Sequence, residues 1–158
     1  MARGDARLLI LGSLPSEASI AAGEYYAHPQ NAFWRIMREL VGAMGSYERR
    51  CSALTESRIA LWDVLKQSVR PGSLDADIRL ETAQANDFGA FLDAHAGIEL
   101  ICFNGRKAEQ IFRKFVKLET TPRLASLPST SPAHAAMSFD EKLEAWRSTI
   151  MQPGEAKK

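Results

Sequence analysis

IELICFNGRKAEQIFRKF, residues 98–115, is the stretch that decides the architecture. Its opening six residues are apolar apart from Glu99, strand-sized, and too continuous for a strand with one wet face. Asn104 and Gly105 break the run, and Ala108, Ile111, Phe112 and Phe115 then recur at the spacing of one helical face. A buried strand that feeds directly into an amphipathic helix is the building unit of a parallel sheet with helices packed over it.

Working outward, RLLIL at residues 7–11 is a second apolar strand, ended by the loop Gly12, Ser13, Leu14, Pro15, Ser16. A long loop is expected from there to Asn31. Phe33, Trp34, Ile36, Met37, Leu40, Val41 and Met44 follow a period of 3.6 and predict a helix. Residues 59–65 read as a strand, and residues 71–82 as polar and irregular. Asn86 or Asp87 can cap a helix through Phe88, Phe91 and Leu92 to about His95. Residues 123–127 form a short last strand, followed by a loop over 128–135. Ser138 and Glu141 make a capping-box pattern that opens a final helix with Leu143, Trp146 and Ile150. The expected fold is a three-layer α/β/α sandwich around a central, mostly parallel four-stranded sheet, one domain over residues 1–151 with a frayed tail at 152–158. Ligands of such sheets bind beyond the carboxyl ends of the strands, so the loops after Leu11, Phe103 and Leu127 are where chemistry is expected.

Bulk properties narrow the function classes. With 158 residues, 46% hydrophobic and 25% charged, the chain matches a globular protein with its own core. No apolar run approaches a membrane span, and residues 1–5 lead into a strand rather than a secretory signal, so a cytoplasmic protein without membrane contact is expected. Cys51 and Cys102 cannot supply the four thiolates of an iron–sulfur cluster, and His28, His95 and His134 are too scattered for a zinc site. No metal and no cofactor are therefore expected. A net charge of +1 neither demands nor excludes nucleic acid. Residues 101–124 do concentrate Arg106, Lys107, Arg113, Lys114, Lys117 and Arg123 against only Glu109 and Glu119, as either a solvated helix face or a phosphate contact.

GxGxxG, GxxxxGK[ST] and GxSxG are all absent. What remains is GSLPS (12–16), YAHPQNAFW (26–34) and LPSTS (127–131) with the following PAHA. In this order they resemble the uracil-DNA glycosylase superfamily, and within it the hypoxanthine-DNA (DNA-deoxyinosine) glycosylase branch. GSLPS looks like the first active-site motif. YAHPQNAFW resembles the AHPxNxFW segment shared with mismatch-specific uracil and thymine glycosylases. LPSTS resembles the second motif, whose loop enters the DNA minor groove. The likeness runs over residues 8–150. One departure is informative: Leu14 stands where the mismatch-specific relatives carry a catalytic Asn before the proline. The resemblance then implies that catalysis falls to Asn31, that Asn104 helps hold the base, and that His134 replaces an amide in the second motif.

Each candidate also has a structural reading. Asn31 precedes a helix and could simply cap it, and both roles can hold at once. Tyr26 is either a packing aromatic or a ring that stacks on a flipped base. His28 either bonds the loop backbone or flanks the pocket. Asn104 before Gly105 is either a turn residue or a donor and acceptor for a base edge, alongside Ser13 and Leu14. Ser129, Thr130 and Ser131 either cap turns or let the loop approach phosphates, and His134 is either solvated or a wedge beside the vacated stack. The implied reaction is hydrolysis of the N-glycosidic bond of a deaminated base, with Asn31 orienting water and an abasic site as product. No lyase step is expected, because no lysine lies in a motif. The expected partner is DNA carrying deaminated bases, met by a monomer. The rival readings are uracil as the favoured base, or a noncatalytic nucleic-acid-binding module that kept the fold.

Overall fold

Strand β1 (Leu8–Gly12) is buried along its whole length. The computed structural model, which describes residues 1–69 and 77–151, pairs it on one side with β2 (Ile59–Asp63) and on the other with β5 (Leu100–Asn104). Beyond β5 lies β6 (Arg123–Leu127), and every pairing in this four-stranded sheet is parallel. Alternation along β1 divides the core. Leu9 and Leu11 face one layer with Ile101 and Phe103, while Leu8 and Ile10 face the other with Cys102. Helices α4 (Phe88–Ala94) and α5 (Arg106–Phe115) cover the first face. The second is covered by α2 (Phe33–Val41), α3 (Tyr47–Glu56) and α6 (Phe139–Ile150). A three-layer sandwich results, because strands with two apolar faces need a helical layer on each.

Several local expectations change. The long loop before Asn31 contains α1 (Glu17–Ala22), whose amides are capped by the Ser16 side chain and whose end is turned by Gly23 in the left-handed region. Helix α3 lacks a readable apolar stripe, burying Leu54 alone, and starts at the Ser46 cap. Residues 59–65 are not one strand. Past Asp63 the amides of Val64 and Leu65 bond the Gly12 and Ser13 carbonyls, at 2.8 and 3.0 Å, and the chain then leaves the main sheet. It continues as β3 (Leu65–Val69), antiparallel to β4 (Arg79–Ala85) in a two-stranded sheet. Residues 79–82, read as irregular, thus belong to a strand; residues 71–76 of that stretch and the tail 152–158 lie outside the described residues. Asp87, not Asn86, caps α4 through Ala90. The capping box at α6 forms as expected. Among the described residues, no helix is long and apolar enough to cross a membrane.

Strand order β2-β1-β5-β6 has a topological consequence. The chain leaves β1 toward β2 on one side and returns to β5 on the other, so a crevice opens beyond the carboxyl ends of β1 and β5. Gly12 ends one of these strands and Asn104 the other.

Candidate functional site

A cleft of about 830 Å³ occupies that crevice. Its walls bring together Ser13, Leu14, Tyr26, His28, Asn31, Asn104, Ser129, Thr130, Ser131 and His134, so the site candidates of the three motif segments and Asn104 line one cavity, whereas the basic residues of 101–124 do not. Asp63, Tyr25 and Glu24 also line it, and none of these was singled out as a site residue. Asp63 could have been noticed: a carboxylate ends the otherwise apolar strand IALWD, where a charge is expensive unless it is used or satisfied. It is only 9% exposed. A Cβ on Gly12 would lie 2.7 Å from Asp63 Oδ1 and 3.2 Å from the Tyr26 hydroxyl, so a glycine is what lets these groups converge over the end of β1.

Tyr26 has φ 54°, in the left-handed region that bulky side chains rarely adopt. Such a conformation costs on the order of 1–3 kcal/mol and persists only when its surroundings hold it. The neighbouring peptides are held on both sides. Tyr25 N donates to the Tyr47 hydroxyl at 3.0 Å, the Trp34 indole donates to Tyr25 O at 2.8 Å, and Ala27 N donates to Ser19 Oγ at 3.2 Å. Burial raises the Tyr47 hydroxyl to about 12, so it remains a neutral phenol at neutral pH. The Tyr26 ring lies against Phe33 with centroids 4.1 Å apart and planes 26° from parallel. Phe33 therefore backs one face of a ring that lines the cleft.

Asn31 enters through the turn that precedes α2. Its backbone N–H donates to His28 O at 2.9 Å, and its Oδ1 accepts the Phe33 N–H at 2.9 Å, so from the residue before the N-cap, Ala32, it caps the first N–H of the helix as it lines the cavity. One lone pair of Oδ1 is spent on that cap; the second and the amide NH2 bond no described residue. His28 is exposed and takes the Gln30 N–H on Nδ1, which leaves the proton of a neutral ring on Nε2.

The loop after β6 is braced from three directions. Asn104 Nδ2 donates to Thr130 Oγ1 and Asn104 Oδ1 accepts the Thr130 N–H, both at 2.9 Å. Thr130 O accepts the Ala32 N–H at 3.0 Å, and the Trp146 indole donates to Pro128 O at 2.9 Å. Asn104, expected at a base edge, lines the cleft; the residue is 6% exposed and its carboxamide also clamps Thr130. It is not the turn residue, since the positive φ of 97° belongs to Gly105. The Ala32–Thr130 bond makes the Asn31 turn and the Ser129–Ser131 loop one unit. Among the described residues, no group of three or more His, Cys, Asp or Glu side chains gathers as a metal site.

Comparison with known proteins agrees with this geometry. A family model described as the uracil DNA glycosylase superfamily matches residues 2–152. The chain is 43% identical over 140 residues to a protein of Methanosarcina acetivorans named hypoxanthine DNA glycosylase, covering 87% of this chain and 86% of that one. A protein of the same name from Methanosarcina barkeri is 39% identical over 104 residues, covering 64% of this chain and 65% of that one. A solution NMR structure from M. acetivorans, of a protein proposed as a uracil DNA glycosylase, superposes with a TM-score of 0.76 at 36% identity and covers 94% of this chain and 91% of that one. With the motifs gathered in one crevice and the match running nearly end to end, the chain belongs to the uracil DNA glycosylase superfamily.

Proposed function

We propose that this protein is a DNA glycosylase that flips a deaminated base, hypoxanthine of deoxyinosine above all, into the cleft and hydrolyses its N-glycosidic bond. The observation that carries this reading is the convergence of Asn31, Tyr26 and Asp63 in one cavity large enough for a base, together with the relatives named hypoxanthine DNA glycosylase. An extruded base needs a flat partner, and the Tyr26 face opposite Phe33 supplies it. Extrusion costs a few kcal/mol and less at a mispair, so weak pairing of inosine favours the lesion. Bond breaking develops positive charge on the sugar and negative charge on the base. Asn31 orients the attacking water through its carboxamide; a neutral amide is a weak base, so its effect is positional. The Asn104–Thr130 clamp holds the opposite rim in register with Asn31.

Asp63 explains why deaminated bases share this site. Deamination of adenine or cytosine replaces a ring nitrogen lone pair with a lactam N–H. A carboxylate accepts that N–H and repels the lone pair of the parent base. It also opposes negative charge on the departing base, so Asp63 serves selection more than speed, and slow turnover follows. In an Asn31→Ala background, which permits binding without release, Asp63→Asn is expected to narrow the affinity ratio between deoxyinosine- and deoxyadenosine-containing duplexes about 10- to 100-fold. An unchanged ratio removes Asp63 from recognition.

The function is tested by alkali cleavage of labelled oligonucleotides that carry one deoxyinosine or one deoxyuridine, single- and double-stranded. Cleavage at deoxyinosine is the expected result. Cleavage mainly at deoxyuridine moves the substrate to uracil, and DNA binding without cleavage of either turns the protein into a binding module.

A further inference from the structure

Lys142, in the first turns of α6, is 6% exposed. Its ammonium reaches one described partner, the carbonyl of Ser131, at a long 3.5 Å. That carbonyl also accepts the His134 N–H at 3.0 Å, so Lys142 lies directly beneath the turn 131–134 that forms the cleft rim. No carboxylate among the described residues pairs with it. Its position near the N-terminus of a twelve-residue helix sets one positive charge close to the positive end of a dipole. Burial, a single long hydrogen bond and the dipole all oppose a charge here, and the desolvation lowers its pKa. For stability alone, an apolar side chain of the same shape would do better.

The turn above it contains no lysine or arginine, and its backbone N–H groups are tied within the loop. Ser129 Oγ takes the Ser131 N–H and Ser131 Oγ takes the Ala133 N–H, both at 3.2 Å. No lysine or arginine is among the described residues that line the cleft, although Glu24 and Asp63 are. From this we infer that Lys142 is a buried counter-charge for a phosphodiester of the DNA strand, seated on the outside of turn 131–134. This rests on the reading that the cleft takes DNA. One layer of backbone separates ammonium from phosphate, and little water intervenes to screen them. A charge held in place this way spends no side-chain entropy on binding, unlike a surface lysine.

The test compares Lys142→Met, which removes charge and hydrogen bond, with Lys142→Gln, which keeps a donor for Ser131 O. Affinities for an undamaged and a deoxyinosine duplex are measured across a salt series, with the melting temperature of each variant. Both variants are expected to bind both duplexes about 3- to 10-fold more weakly near 0.15 M salt. The slope of log K against log salt should fall by about 0.9, the loss of one phosphate contact. Lys142→Met should melt no lower than the wild type. Wild-type slopes in both variants overturn the inference. So does a wild-type slope in Lys142→Gln alone, which leaves a hydrogen-bonding role, or a lowered melting point with unchanged slopes, which leaves a structural one. Duplex binding by a wild type that releases no base refutes the glycosylase reading instead, and the slopes still decide on Lys142.

Discussion

Asn31→Ala is expected to slow hypoxanthine release by on the order of 10²-fold or more under single-turnover conditions, the scale on which loss of a positioned water acts. Alanine alone would be ambiguous, because Asn31 Oδ1 also holds the Phe33 N–H at 2.9 Å. Losing that cap costs about 1 kcal/mol, and a frayed α2 would carry the cleft wall with it. Asn31→Ser separates the two effects. Serine caps helices as well as asparagine does, but its hydroxyl is too short to reach a water over the sugar. The serine variant should melt close to the wild type and be as inactive as the alanine variant. If serine instead restores activity along with stability, Asn31 is a cap and the water is oriented by another group.

A second large effect is expected from the clamp between β5 and the loop after β6. Asn104→Ala deletes both bonds to Thr130 and strands a buried N–H beside a buried hydroxyl. At about 1–3 kcal/mol for each unsatisfied buried group, the loss should be roughly 2–4 kcal/mol, lowering the melting temperature by about 5–15 °C. Asn104→Asp keeps an acceptor for the Thr130 N–H and should fall between wild type and alanine. Base release should drop in both variants even well below their melting points, because Thr130 O is the acceptor that ties the loop to Ala32 and hence to Asn31. Full activity at low temperature in Asn104→Ala would show that the rim does not need to be held.

The parts of this fold legible from the amino-acid order are those in which burial repeats with a short period. LLIL at residues 8–11 and LICF at residues 100–103 are apolar throughout because helices cover both of their faces. Helices α2 and α5 show a stripe because each buries one side on the sheet. Helix α1 carries no comparable stripe, with Ile20 68% exposed, and α3 buries Leu54 alone. What marked them were Ser16, Gly23 and Ser46, local caps that a search for periodicity passes over. Strands β3 and β4 are largely polar and gain their pairing from each other, so nothing in either segment announces a strand by itself.

The site divides along the same line. Residue types and their order along the chain identified the three cleft segments, since a loop that must end a buried strand and meet a ligand needs particular short polar residues wherever it folds. Which of those residues bond one another across the cleft depends on contacts between segments far apart in sequence. Asn104 and Thr130 are 26 residues apart and bind each other on both edges of the amide. Asp63 meets Gly12 and Tyr26 across two strands and a loop. Lys142 lies 11 residues from the carbonyl it touches. Strand and helix periodicity are properties of neighbours along the chain, so the sequence carries them. Hydrogen-bond partners across the crevice depend on strand order β2-β1-β5-β6, which only the closed tertiary structure determines.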